Sequence, residues 1–197
     1  MRLPVLTEPE RAIVALAAAA EAKDSYAGTH PKRVANTALH LGMRLGLHDS
    51  DLVALFRGGL VHDIGKIFVS EKILRKPAPL NAQEETEMRA HAAIGERILR
   101  RFPSTSDLSS IVRHHHERFD GGGYPDGLSG HKIPLLARIV SVSDAHDALA
   151  SDRPYRPRCG PEEAIEILMR GAGKQWDREL ISLLLSELPS MRFEVAS

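Results

Sequence analysis

Cysteine is nearly absent from this chain: Cys159 is the only one in 197 residues. A single thiol excludes an intramolecular disulfide framework and a zinc site built from several cysteines, and it is typical of a reducing compartment, so we expect a cytoplasmic protein.

The chain also has no net charge, because Lys plus Arg and Asp plus Glu both number 26. We therefore expect no DNA or RNA polymer as a partner, whereas a local pocket for a small phosphate compound stays compatible with the sequence.

Long hydrophobic runs are also lacking. The apolar run from Ile13 to Ala20 follows Glu10 and Arg11 and stops at Glu21. It is too short for a membrane span and has no signal-peptide cleavage pattern, so we expect an amphipathic or buried helix and no membrane partner.

Strand-like alternation is not found, and apolar residues recur instead at spacings of three and four. At 197 residues and 43% hydrophobic content, the chain is long enough for one well-buried core. We expect a single all-α domain, interrupted by a proline-containing connector at 76–79 and by a glycine-rich loop from Phe119 to His131. The helices are predicted near residues 8–23, 30–46, 50–66, 82–101, 105–117, 134–150, 161–171 and 177–187.

Histidine is abundant, with ten residues in the chain. Helical phase places His62, Asp63 and Lys66 on the buried stripe of the third predicted helix. Buried polar groups are costly without partners, and a divalent metal bound by imidazole and carboxylate would satisfy them. Taken alone, however, an adjacent His-Asp pair is better explained as a contact between the two side chains.

Other histidines and acids share this inward phase, and their conjunction favours a metal centre. His114 points away from the stripe that carries His115 and His116. Four more histidines are assigned to surface, cap or packing positions: His40, His48, His131 and His146. Buried carboxylates need a cation or a proton. The inward residues on the other helices are His30, His91, His115, His116, Asp144 and Asp147.

These motifs resemble the HD-GYP family, a branch of the HD-domain metal phosphohydrolases, from about Asp24 to Asp177. The resemblance implies an HD-domain-like helical bundle with a glycine-rich GYP loop, and a phosphodiesterase that linearises cyclic di-GMP. The segments that carry it are Thr29-His30-Pro31-Lys32-Arg33-Val34, His62-Asp63-Ile64-Gly65-Lys66, Lys76-Pro77 with Pro79-Leu80, Met88 with His91, His115-His116-Glu117-Arg118-Phe119-Asp120-Gly121-Gly122-Gly123-Tyr124-Pro125, and Asp144-Ala145-His146-Asp147-Ala148-Leu149 with Arg153-Pro154-Tyr155-Arg156.

The resemblance also implies the metal ligands. Some family members have a glutamate four residues before the first histidine, associated with a third metal, but this sequence has Tyr26 there. We therefore expect two divalent ions per chain, iron or manganese first, with zinc, cobalt or nickel also compatible. Asp63 would bridge them, and the full ligand set is His30, His62, Asp63, His91, His115, His116 and Asp144.

Catalysis would use a water deprotonated between the metals and placed in line with the phosphorus. Asp63 and Lys66 are the predicted catalytic residues, and Lys66 would also offset charge on the phosphate oxygens. The family match adds substrate contacts at Gly123, Tyr124, Arg153 and Arg156.

Two alternatives stay open: an HD-type hydrolase for another cyclic dinucleotide or nucleotide, and a non-catalytic receptor of cyclic di-GMP. The predicted organisation is a helical segment over 1–23, the phosphodiesterase domain over 24–188 and a tail over 189–197. Residues 1–23 are too few for a sensory domain, so we expect a homodimer, a regulatory partner, or a larger protein of which this chain is a fragment.

Overall fold

The computed structural model describes residues 6–23, 29–152 and 158–189, and these contain nine α-helices and no β-strand. The prediction of an all-α fold is confirmed. Three 3-10 helices accompany them at Ile64–Phe68, Pro103–Leu108 and Gly130–Lys132. The α-helices are α1 Glu8–Lys23, α2 His30–Arg44, α3 Asp49–Val61, α4 Glu71–Leu74, α5 Ala82–Leu99, α6 Ser109–His114, α7 Leu135–Ala150, α8 Pro161–Gly171 and α9 Arg178–Glu187.

The core is built around α2, α3 and α7. Pro31 lies in the first turn of α2, where its missing N–H costs no hydrogen bond. Val34, Ala38 and Leu41 then form one fully buried stripe. Helix α3 approaches α2 closely at Gly59, where an added Cβ would lie 2.6 Å from the Cα of Ala35. This contact fixes the end of α3, and therefore the residues that follow it.

Helix α1 packs on the same core through Ile13 and Ala17. Its last residue, Lys23, donates hydrogen bonds from Nζ to the carbonyl oxygens of Ile67, at 2.7 Å, and Val69, at 2.8 Å. The C-terminal end of α1 is thereby tied to the 3-10 helix that follows α3. None of the helices among the described residues is both long and apolar enough to cross a membrane.

Two predicted helices differ most from the structure at their C-terminal ends. The helix predicted over 50–66 stops at Val61, and the chain turns at His62 and Asp63 before the 3-10 helix. The helix predicted over 105–117 is a 3-10 helix followed by α6, which ends at His114. Helical phase was therefore the wrong basis for placing the residues after Val61 and His114, because local hydrogen bonds and close packing replace the helix there.

Candidate metal centre

Asp63 lies at the middle of a buried group of histidines that come from different elements. It follows the end of α3 in a turn and is 7% exposed. His30 begins α2, His91 lies on α5, and His115 and His116 follow the end of α6. The predicted ligands are therefore brought together although they extend from His30 to Asp144 in the sequence.

The imidazole rings are held by hydrogen bonds that leave one nitrogen of each ring for the centre. The Nδ1 atoms of His62, His91 and His115 lie 2.8, 2.6 and 2.8 Å from the carbonyl oxygens of Gly59, Met88 and Val112. Each partner is three residues earlier in the chain, so the anchor is local. A ligand histidine typically donates its second N–H in this way, which fixes the tautomer and the ring orientation.

The two carboxylate oxygens of Asp63 face different histidines. Oδ1 lies 3.3 Å from Nε2 of His91 and 3.8 Å from Nε2 of His115, whereas Oδ2 lies 3.3 Å from Nε2 of His62. Buried atoms at this point have no hydrogen-bond partner: Nε2 of His62, His91 and His115, and Oδ1 of Asp63. Orphaned imidazole nitrogens around a carboxylate are the donor set that a divalent metal satisfies, so the residues present fit the metal.

Two groups of possible metal ligands can be distinguished by distance. Asp63, His91, His115 and His116 each offer a donor atom within 4.8 Å of the others, and so do His30, His62 and Asp144. Because Asp63 lies between the two groups through its two oxygens, the arrangement has the geometry that a bridging carboxylate requires.

His30 is oriented by Asp147 rather than by a backbone carbonyl. Its Nδ1 lies 2.7 Å from Oδ2 of Asp147, and its Nε2 lies 3.5 Å from Oδ1 of Asp144. Arg33 donates to both carboxylate oxygens of Asp147. The inward phase of Asp147 was predicted from the sequence, but its function as the anchor of His30 was not.

We expect the Asp147→Asn protein to bind metal about tenfold more weakly than the parent, because an amide offers His30 and Arg33 only one acceptor and no charge. Asp107→Asn is the matched control, since the Asp107 side chain is 50% exposed. Metal affinity is measured by competition with a chelator. Equal affinities for the two variants would contradict this assignment.

Electrostatics prepare the centre for a cation. Burial acts to lower the pKa of His62, but the adjacent Asp63 carboxylate outweighs it and raises the pKa to about 9. Burial acts to raise the pKa of Asp63, yet Lys66 and His62 hold it well below its ordinary range. Burial and the neighbouring His115 lower the pKa of His116, which is therefore neutral and able to bind a metal.

The raised pKa of His62 predicts a pH dependence of metal uptake. Below about pH 9 the metal-free protein carries a proton on His62, and a metal must displace it. We therefore expect apparent metal affinity to rise between pH 7 and 9, by up to about tenfold per pH unit, with about one proton released per chain at pH 7. Calorimetry in buffers of different ionisation enthalpy measures the proton. An affinity independent of pH over this range would refute the prediction.

Lys66 lies on the 3-10 helix and not on α3 as predicted, but its side chain still contacts the centre. Its Nζ lies 2.7 Å from Oδ2 of Asp63. Tyr124 lies across the centre, with its ring stacked on His116 at 4.9 Å and the guanidinium of Arg89 5.2 Å from its centroid. Burial and the Asp63 charge raise the pKa of Tyr124, so its hydroxyl remains a hydrogen-bond donor.

The glycine-rich loop is fixed to the ligand segment by Glu117, which is 3% exposed. Its carboxylate accepts hydrogen bonds from the backbone N–H groups of Asp126, at 2.7 Å, and Leu128, at 3.0 Å. Gly123 allows the loop to pack directly against the backbone of the segment after His116, because an added Cβ would lie 2.3 Å from the backbone N of Arg118. The predicted residues Gly123 and Tyr124 are thus placed by the residues that directly follow His116.

Glu21 is a residue that sequence reasoning missed. It is 6% exposed at the end of α1, and its carboxylate forms a third group of possible donors with His30 and Asp63. Its position four residues after Ala17, on the buried stripe of α1, was the available signal. Burial raises the pKa of Glu21, and so does the charge of Asp63.

Several sequence assignments lie outside the centre or outside the described residues. Arg153, Arg156 and Tyr26 are not among the described residues, so their roles remain predictions. The outward His114 contacts Oδ2 of Asp126 at 2.9 Å, beside the salt bridge that Arg113 makes to the same side chain. The remaining histidines pair with Glu187 (His40), cap α3 (His48), contact Phe119 (His131) or are buried in α7 (His146).

Residues 14–180 match a family model described as HD domain. Among curated proteins, 3'3'-cGAMP-specific phosphodiesterase 3 of Vibrio cholerae is 37% identical over 168 residues, which is 85% of this chain and 36% of the relative. The cyclic di-GMP phosphodiesterase response regulator RpfG of Xanthomonas campestris is 37% identical over 174 residues, covering 86% of this chain and 46% of the relative. The chain thus spans less than half the length of these relatives.

Solved structures share the fold. Bd1817, a HDG"Y"P protein from Bdellovibrio bacteriovorus, superposes with a TM-score of 0.66 at 22% identity, covering 81% of this chain and 51% of that one. A cyclic GMP-AMP-specific phosphodiesterase of Vibrio cholerae superposes with a TM-score of 0.68 at 19% identity, covering 92% and 49%. At these identities the similarity establishes the architecture alone.

Proposed function

The chain belongs to the HD-GYP family of HD-domain proteins, and from this membership we propose that it is a phosphodiesterase that hydrolyses cyclic di-GMP to linear pGpG. The observation that carries the proposal is the position of Asp63, whose two oxygens face separate histidine groups in one buried site. A carboxylate so placed would hold metal ions together with both histidine groups.

We propose two divalent metals per chain, iron or manganese, held by Asp63 with His91, His115 and His116 on one side and by His30, His62 and Asp144 on the other. The metals, when bound, supply a water acidified towards neutral pH and positive charge for the phosphate oxygens. Glu21 does not add a third metal position. The other two members of its group, His30 and Asp63, already belong to the two proposed metal positions.

The chain's own residues hold and stabilise the phosphodiester. Lys66 is already beside Asp63, so its ammonium can donate to a non-bridging phosphate oxygen as negative charge develops there. Tyr124 keeps its proton and lies over His116, so its hydroxyl can also donate to the substrate. The predicted contacts of Gly123, Arg153 and Arg156 complete the proposed substrate site.

A second substrate is favoured by a specific observation. Relatives that match 85 and 86% of this chain are named 3'3'-cGAMP-specific phosphodiesterases. We therefore propose 3'3'-cGAMP as the alternative substrate of the same centre, since both compounds contain the same phosphodiester linkage between two purine nucleosides.

A substrate panel tests the function directly. The metal-loaded protein is incubated with cyclic di-GMP, 3'3'-cGAMP and a nucleoside monophosphate, and the products are separated by chromatography. We expect pGpG from cyclic di-GMP at the highest rate, with any GMP appearing later. If only 3'3'-cGAMP is hydrolysed, 3'3'-cGAMP is the substrate instead. If cyclic di-GMP binds but no product forms, the protein is a receptor and not an enzyme.

Elemental analysis of protein purified without added metal tests the proposed cofactor, with two metals per chain expected. We further propose a cytoplasmic location and regulation through a homodimer or a partner domain.

A further inference from the structure

A cavity of about 430 Å³ opens beside the proposed metal centre and is not explained by the phosphate contacts. His115, His116 and Asp144 form the part of its wall that belongs to the centre. These residues come from both ligand groups. Lys66 and Tyr124 do not line the cavity, so it leads away from the side on which the phosphate oxygens would be held.

The wall of the cavity has the mixed chemistry that a nucleoside needs. Ala145, Ala148 and Leu149 of α7 and the indole of Trp176 give an apolar surface. Ser141 and Gln175 add a hydroxyl and an amide, which together offer donors and acceptors to the edge of a base. Pockets that bind small molecules are typically apolar with a few placed polar groups, and about 300–1,000 Å³ in size.

The charges of the wall argue against a second phosphate as the occupant. Arg118 donates to both carboxylate oxygens of Asp120, at 3.0 and 2.6 Å, so its charge is already balanced. Glu117 and Asp144 add negative charge to the lining. A neutral base and ribose suit this environment, whereas a free anion does not.

The rim of the cavity is held in place by backbone hydrogen bonds. The Phe119 N–H donates to the carbonyl oxygen of Gln175 at 3.1 Å, and the Gly173 N–H donates to that of Trp176 at 2.7 Å. The indole packs so closely on Gly171 that an added Cβ there would lie 2.3 Å from it. Gln175 and Trp176 are therefore preorganised for a ligand rather than carried on a free loop.

We propose that this cavity binds one of the two purine nucleosides that the scissile phosphate joins in the cyclic dinucleotide, with Gln175 contacting the base and α7 packing against its face. The proposal rests on the proposed function for the choice of substrate. It assigns Gln175, Ala148 and Trp176 to recognition of the nucleoside, separately from the residues that hold metal and phosphate.

Trp176 is the only tryptophan of the chain, so its fluorescence reports on the cavity directly. The metal-loaded protein is titrated with GMP, which carries a base but no phosphodiester, and with inorganic phosphate, which can reach only the metals. We expect a saturable change of emission with GMP and none with phosphate. Equal responses to the two probes would overturn the proposal.

Matched variants locate the binding. Ala148→Leu adds methyl groups inside the cavity and should raise the Kd of GMP about tenfold. Ala150→Leu makes the same change on an exposed position of the same helix and should leave the Kd at the parent value. Gln175→Leu, at an exposed position where folding is not at risk, should raise the Kd about fivefold through the lost hydrogen bond. A Kd unchanged in both Ala148→Leu and Gln175→Leu would refute the assignment.

The test of the nucleoside site is independent of the test of the proposed function. Hydrolysis of cyclic di-GMP by the parent protein is scored by its products, without reference to fluorescence. If the parent protein binds GMP in the cavity but cleaves no cyclic dinucleotide, the proposed function is wrong and the proposed nucleoside site stands. If it cleaves cyclic di-GMP while GMP leaves the Trp176 fluorescence unchanged, the proposed function stands and the nucleoside site is wrong.

Discussion

The Asp63→Ala protein is expected to lose at least about a thousandfold in the rate of cyclic dinucleotide hydrolysis, equivalent to about 4 kcal/mol of transition-state stabilisation. The reason is that both proposed metal positions share this one carboxylate, since its oxygens lie within 3.3 Å of His62 and His91 and reach Lys66 at 2.7 Å. Metal content should fall together with activity. Both quantities are measured on the same preparation, by elemental analysis and by product chromatography.

Asp49→Ala is the control for the Asp63 variant. Asp49 is an exposed aspartate in the first turn of α3, so the same substitution there removes an equal charge without reaching the centre. Circular dichroism of both variants checks that the helices remain. An Asp63→Ala protein that keeps its two metals and its turnover would exclude the bridging role, and one that retains signalling in a cell while losing turnover would favour the receptor.

Helical phase predicted the inward direction of His30, His91 and Asp144 for the right reason. These three lie on helices that the structure also has, α2, α5 and α7. The stripe of Val34, Ala38 and Leu41 is buried in full, so the sequence alone could place His30 at its N-terminal end facing the interior. The fold class and the inward placement of these three side chains were therefore accessible from periodicity.

The predicted ligands after Val61 and His114 were assigned to continuous helices, and the structure corrects that assignment. His62, Asp63 and His115 lie beyond the ends of their helices, and the rings of the two histidines are held by carbonyl oxygens three residues earlier. Such turns depend on what packs against them, and local sequence does not contain that information. The family motifs identified the same residues without assuming a continuous helix, and their ligand roles remain predictions.

Contacts between distant segments were the part that the sequence could not supply. Asp147 meets His30 across 117 positions, and Lys23 meets Val69 across 46. Glu21 approaches His30 and Asp63 only because α1 joins the common core through Ile13 and Ala17. Each of these pairings is decided by how the helices pack, so a single sequence gives the candidate side chains but not their partners.

The Gly65→Ala protein is expected to be destabilised by about 3 kcal/mol, at the upper end of what overpacking costs, and to lose metal affinity. An added Cβ would lie 1.9 Å from the carbonyl oxygen of His91 and 2.8 Å from the backbone N of Gly95. Both are backbone atoms of α5, so no side chain can rotate away. The 3-10 helix must therefore separate from α5, and this moves Lys66 and His91 apart.

Thermal unfolding measures the effect, because about 3 kcal/mol corresponds to a fall in Tm of about 6–12 °C in a chain of this size. The activity that remains at low temperature should be about a hundredfold lower, since a displacement of about 1 Å at the centre is enough for such a loss. Gly160→Ala is the control: a Cβ there meets nothing within 4 Å, and φ is −60°. A Gly65→Ala protein that melts like the Gly160→Ala protein, with its metals still bound, would show that close contact between the 3-10 helix and α5 does not hold the centre together.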